Sequence, residues 1–168
     1  ALVASSHLTL AQAQTTMSKP VKIIVGFPPG GSADAVARLL ANQLGNAQSA
    51  AYAPTVIVDN KPGAGGRIGA QTVKAGEADG SQFLLTPASI LTIYPHVYKK
   101  LGYDSLADFT PVSTVASVTF AFSVSSAVPA SVKTIADYVV WAKANPNQAN
   151  FGSPAAGATP HFVGVMFG

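Results

Sequence analysis

The sequence predicts an α/β protein built on an open, largely parallel β-sheet. Three observations lead there. Strand-like and helix-like stretches alternate three times between Val21 and Tyr94, the order that lays helices over the faces of a parallel sheet. The strand-like stretches are short apolar runs, as in strands buried on both faces. Each run is followed by a turn rich in glycine, serine or proline that leads into a helix. The chain has 168 residues, enough for one domain with a real core or for part of a two-domain protein.

The elements follow in order. Residues 1 to 13, ALVASSHLTLAQA, end in Ala11-Gln12-Ala13, a small-x-small pattern after a mostly apolar stretch, so residues 1 to 18 are read as a signal-peptide remnant or leader outside the fold. Val21 to Phe27 (VKIIVGF) is the first strand. The turn FPPGGS leads into a helix whose Val36, Leu39, Leu40 and Leu44 recur at three-and-four spacing. Ser32 is expected to cap it, Asp34 favours its first turn through the helix dipole, and Gly45 stands where a C-cap belongs. Thr55 to Asn60 (TVIVDN) is the second strand, and the glycine-rich KPGAGGRIGA opens a short helix through Ala70 and Val73. Residues 81 to 87 (SQFLLTP) form the third strand, followed by a Pro-Ala-Ser turn and a loosely helical stretch through Ile90, Leu91 and Tyr94.

Beyond Tyr103-Asp104, two more runs, PVSTVA and FAFSVSS, read as strands. A helix from Ile135 to Ala144 starts at a Thr134/Asp137 capping box and stops at Asn145-Pro146. A last strand-turn-helix, NFGSPAAGATPHFVGVMF, closes the sequence. The second sheet has barely begun there, which reads as the N-terminal part of a longer protein. The expected division is a first α/β lobe over residues 19–117 and, over 118–168, a crossover and the start of a second lobe, with the crossing near Val128-Pro129.

Composition narrows the function classes. Hydrophobic residues make up 48% and charged residues only 10%, against about 25% in an average domain. The mean hydropathy of +0.32 comes from many alanines and valines, and no run of about 18 apolar residues marks a membrane span. The net charge of +3 is spread singly, with Lys99-Lys100 the one adjacent pair, so the clustered basic stripe that nucleic acid requires is missing. The absence of cysteine excludes disulfides and thiolate metal sites.

Motifs narrow them further. KPGAGGRIGA begins G-x-G at Gly63 and Gly65 but has Ile68 where a dinucleotide loop needs its third glycine, and no glycine-rich turn ends in Gly-Lys-Ser/Thr. Ser32, Ser89 and Ser153 lack the flanks of a nucleophile elbow. His7, His96 and His161 stand far apart, without metal-ligand spacing. No catalytic set, metal site or cofactor site emerges. Tyr52, Tyr94, Tyr98 and Tyr103 read as packing residues and Trp141, with Tyr138, as core. What remains is four turns of one chemistry, PPGGS, PGAGG, TPAS and GSPAAGAT, each after a strand. Ligands of an open parallel sheet sit beyond the carboxyl ends of its strands, and the N–H groups of such turns suit a carboxylate or phosphate.

The series FPPGGSADAVARLLA, VDNKPGAGGRIGA, ADGSQFLL, YDSLADFTPVSTVA and NFGSPAAGATPHF resembles, in order and spacing, the Bug-type extracytoplasmic solute receptors that serve tripartite tricarboxylate transporters. The resemblance covers Lys19 to Gly168 and implies a two-lobed periplasmic binding protein that closes on a small organic acid, without a cofactor and without enzymatic activity. Its implied partners are the membrane permease subunits of the transporter, with the receptor itself a monomer when full length. Carried over by position, it assigns Gly30, Gly31 and Ser32 to a first ligand loop, Ala64, Gly65 and Gly66 to a second, and a hydroxyl to Ser89. From the other lobe it assigns Ser153, Gly157, Thr159 and His161. Departures from the family pattern are Ala33, Glu77 and Ala156, and they leave the far end of the ligand unspecified. The competing reading is an α/β enzyme acting on a small carboxylated or phosphorylated metabolite, which would need a nucleophile or acid-base pair beside the turns. A purely structural lobe would need no converging polar turns.

Overall fold

The computed structural model describes residues 19–46 and 55–167; the leader-like segment and Tyr52 lie outside them. The first unit is β1 (Val21–Val25) and α1 (Ser32–Gly45). The second is β2 (Val56–Asn60), a 3-10 turn at Ala64–Gly66 and α2 (Arg67–Lys74). The third is β3 (Gln82–Leu85), followed by two single-turn helices, α3 (Ser89–Thr92) and α4 (Tyr94–Val97). Further on come α5 (Ile135–Ala144) and α6 (Thr159–Val165).

The three strands form one parallel sheet in the order β2-β1-β3. Val21 pairs with Val56 and Val25 with Asn60 on one side of β1, and Lys22 with Gln82 and Val25 with Leu85 on the other. β1 is central, and Val21, Ile23, Ile24 and Val25 are all at most 2% exposed, so the continuous apolar run reflects burial on both faces. Each such side chain contributes about 1.5–3 kcal/mol relative to exposure.

Adjacent residues of a strand point to opposite faces, and Leu84 and Leu85 join different clusters. Leu85 packs with Ile23, Val25 and the Ala37 of α1, whereas Leu84 packs with Ala70 of α2, Ile90 of α3 and Tyr94 of α4. Ala155 and Ala158, from the turn before α6, belong to this second cluster. The sheet thus carries α1 on one face and α2 to α4 on the other.

Several expectations need correction. Gly31, with φ −81° and ψ 172°, is the N-cap of α1, and no side chain caps that end, so Ser32 is the first helical residue instead of the cap. Gly45 is still helical, and Asn46 is the C-cap. The runs PVSTVA and FAFSVSS form no strand, and neither do the residues before the GSPAAGAT turn. Residues 110–126 are exposed throughout. A strand needs a neighbour for its N–H and C=O groups, and these runs find none among the described residues. The Thr134/Asp137 capping box of α5 forms, with both reciprocal bonds present. α5 nevertheless buries no residue, and Trp141, expected in the core, is half-buried with its ring 5.8 Å from that of Tyr138.

Candidate functional site

The strand order gives the candidate site its position. From β1 the chain crosses to one edge of the sheet and then returns to the other, and such a reversal opens a crevice beyond the carboxyl ends of the adjacent strands. The PPGGS, PGAGG and TPAS turns stand at those ends.

The PGAGG turn is built around close backbone approach. Gly65 and Gly66 have φ of +65° and +91°, and a side-chain carbon on Gly66 would come within 2.4 Å of Ile90 Cδ1 and 3.1 Å of the Phe27 ring. On the other side of this contact, a Cβ on Gly26 would lie 2.6 Å from the Gly66 carbonyl oxygen. The first and second turns are therefore locked together by Gly26, Phe27 and Gly66.

Tyrosine hydroxyls extend this assembly. Tyr94 donates to the Gly65 carbonyl at 2.9 Å, Tyr103 to that of Ile90 at 2.6 Å and Tyr98 to that of Ala156 at 2.8 Å. The Tyr94 and Tyr98 rings meet edge-on at 5.0 Å. Burial pushes the Tyr103 hydroxyl up to about 12 and raises that of Tyr94, so both remain donors at neutral pH. Sequence alone marks these tyrosines only as packing residues. Tyr94 and Tyr103 are indeed buried, but the hydroxyl contacts, which join residues far apart in sequence, give no local signal.

The sequence-assigned residues divide into three groups. Ala64, Gly65, Gly66 and Ser89 come together with the turn of Ser153 and Gly157: Ser89 immediately precedes Ile90, a Cβ on Gly65 would lie 3.3 Å from that of Ala155, and one on Gly157 would lie 3.3 Å from the Tyr98 ring. Within that turn Ser153 Oγ donates to the Ala155 carbonyl at 3.2 Å, and the Gly157 N–H donates to His161 Nδ1 at 3.2 Å. Gly30, Gly31 and Ser32 form an exposed tip, joined to the rest through Phe27. Thr159 is exposed at the start of α6 and makes no hydrogen bond to the other turns among the described residues.

The tip is positioned by a residue that the sequence marks only as a first-turn acid. Asp34 is 3% exposed and its carboxylate accepts from the Gly30 N–H at 2.9 Å, Arg38 Nε at 2.9 Å and Asn60 Nδ2 at 3.0 Å. Asn60 Nδ2 also donates to the Phe27 carbonyl at 3.1 Å, so the end of β2 holds the loop after β1. The Arg38 guanidinium, with help from the Gly30 N–H and Asn60, lowers the Asp34 carboxyl to about 2. The i, i+4 spacing of Asp34 and Arg38 is the sequence signal for this pair.

Several donors stay open. The Gly30, Gly66 and Gly157 N–H groups are taken by Asp34, Gly63 and His161. Those of Gly31, Ser32, Ala64 and Gly65 have no acceptor among the described residues. At the end of β3 the buried Thr86 hydroxyl is likewise without a partner. Two open depressions, of about 310 Å³ beside Lys19, Lys22 and Glu77 and about 180 Å³ beside Phe122 and Tyr138, touch none of these turns. No group of three or more metal-ligating side chains occurs among the described residues.

A parallel α/β sheet with glycine-rich turns beyond the carboxyl ends of its strands is the architecture of ligand-binding α/β proteins. Within that class the chain belongs to the tripartite tricarboxylate transporter family receptors, whose family model matches residues 36–167. It is 35% identical over 154 residues to a UPF0065 protein of Bordetella bronchiseptica, covering 92% of this chain and 44% of that protein. To the protein BugT of Bordetella pertussis it is 33% identical over 156 residues, covering 92% and 46%. The chain thus spans less than half the length of these curated relatives. Among solved structures it is similar to the R. palustris protein Rpa4515 with adipate, with a TM-score of 0.75 and 33% identity over 84% of this chain and 46% of that one.

Proposed function

We propose that the chain is the ligand-capturing part of a periplasmic receptor that delivers a small organic carboxylate to the membrane permease of a tripartite transporter. The observation that carries this reading is the set of unpaired N–H groups at Gly31, Ser32, Ala64 and Gly65, beyond the carboxyl ends of β1 and β2. Neutral, fixed donors beside the N-terminus of α1 favour an anion through the helix dipole. They bind it without a buried counter-charge, which keeps release accessible to the permease. Ser89, Ser153, Gly157, Thr159 and His161 complete the proposed ligand shell, with residues 19–117 as one lobe and 118–168 as the beginning of the other. The family membership and the adipate carried by the R. palustris relative support a carboxylate over a phosphate.

Gly31→Val tests the reading. A Cβ there would meet only the Pro28 carbonyl oxygen, at 3.9 Å, so the fold is expected to persist while the branched side chain crowds the donors. Calorimetry against a panel of organic acids is expected to show affinity at least about tenfold weaker, roughly 1.4 kcal/mol. Unchanged affinity would reduce the loop to a turn. Chemical turnover of any acid in the panel would favour an enzyme instead.

A further inference from the structure

Arg67 is the first residue of α2, directly after the Ala64–Gly66 turn. Its Nε donates to the Ala64 carbonyl at 2.9 Å, and its guanidinium carbon lies 4.0 Å from the centre of the Tyr98 ring. Tyr98 in turn holds the Ala156 carbonyl, so the guanidinium stands where the second and fourth glycine-rich turns meet. No carboxylate among the described residues pairs with it. Two other basic residues of the first two units are neutralised, Lys61 by Asp59 at 3.2 Å and Arg38 by Asp34 at 2.9 Å.

One hydrogen bond and one ring face hold the guanidinium in place and leave both Nη groups without an acceptor among the described residues. Two parallel N–H donors in a fixed plane match the two oxygens of a carboxylate. A carboxylate held by the open N–H groups of Ala64 and Gly65 alone would leave the Arg67 guanidinium without a charge partner. We infer that Arg67 is a specificity-determining residue that takes a second acidic group of the ligand, making the site selective for dicarboxylates over monocarboxylates. This rests on the carboxylate-receptor reading above and adds the ligand's second charge to it.

The test titrates the full chain by calorimetry with adipate and succinate and with their monoacid counterparts hexanoate and butyrate. The parent protein is expected to prefer a diacid to its monoacid by at least about tenfold. Arg67→Gln should remove that preference by weakening the diacid alone, and Arg67→Lys should restore part of it. Equal losses for diacid and monoacid would make Arg67 a strut between Tyr98 and the turn, and overturn the inference. So would a parent protein that binds monoacids as tightly as diacids, an outcome that leaves the receptor reading standing. Failure to bind any of the four acids would overturn the inference together with that reading.

Discussion

At the scale of single residues, Asp34 ties the first glycine-rich turn to α1 and to the end of β2. Its carboxylate gathers three donors from three segments, the Gly30 N–H, Arg38 and Asn60, and their combined pull gives a folded-state value of about 2 against an ordinary aspartate value near 4. A carboxyl depressed on folding stabilises the protein fully above its unfolded value, and that contribution disappears as pH falls through the folded one. Asp34→Asn is therefore expected to destabilise the protein by a constant amount above about pH 5, and by progressively less between about pH 4 and pH 2. Urea unfolding of parent and variant across that range checks it. A difference independent of pH would show that the network stabilises by shape alone.

At the scale of elements, what was legible follows from what each element needs. β1, β2 and β3 each declare themselves by an apolar run between turn residues, and α5 by its capping box, because these signals are local. The runs PVSTVA and FAFSVSS carry the same local signal but have no strand beside them among the described residues, and a neighbour is what turns a propensity into a strand. In the candidate site the glycine turns were legible. The contacts that join them were not, because Phe27 against Gly66 and Tyr98 on Ala156 arise only in the folded chain. α5 tests the weight of a local signal, since it buries no side chain and its start rests on Thr134 accepting the Asp137 N–H at 3.1 Å. Thr134→Ala is expected to cost about 1 kcal/mol, read as a lower unfolding midpoint in urea with a matching loss of helical dichroism. An unchanged midpoint would show that α5 contributes nothing to the cooperative unit.

At the scale of the whole molecule, order is uneven. Apolar burial is concentrated in two clusters against the sheet, while Val112, Val115, Val118, Phe120, Phe122 and Val124 are 42–77% exposed. No helix of the described residues is long and apolar enough to cross a membrane. The segment around Ala156 returns to the end of α4 from 58 residues along the chain, held there by the Tyr98 bond to Ala156 and by Ala155 and Ala158 in the second cluster. That separation has a kinetic consequence. Closing a loop of this length costs on the order of 4 kcal/mol of chain entropy, so the segment around Ala156 is expected to dock after the sheet has formed and to detach before it melts. Hydrogen-exchange mass spectrometry should find the His161 amide, bonded to the Ala158 carbonyl at 3.0 Å, exchanging well ahead of the Lys61 amide, bonded to Val25 at 2.8 Å. Tyr98→Phe should widen the gap, and equal protection of the two amides would contradict this order of events. The fourth glycine-rich turn would then be the last part of the site to assemble, and opening of the site would begin as a local unfolding of that turn while the sheet stays intact.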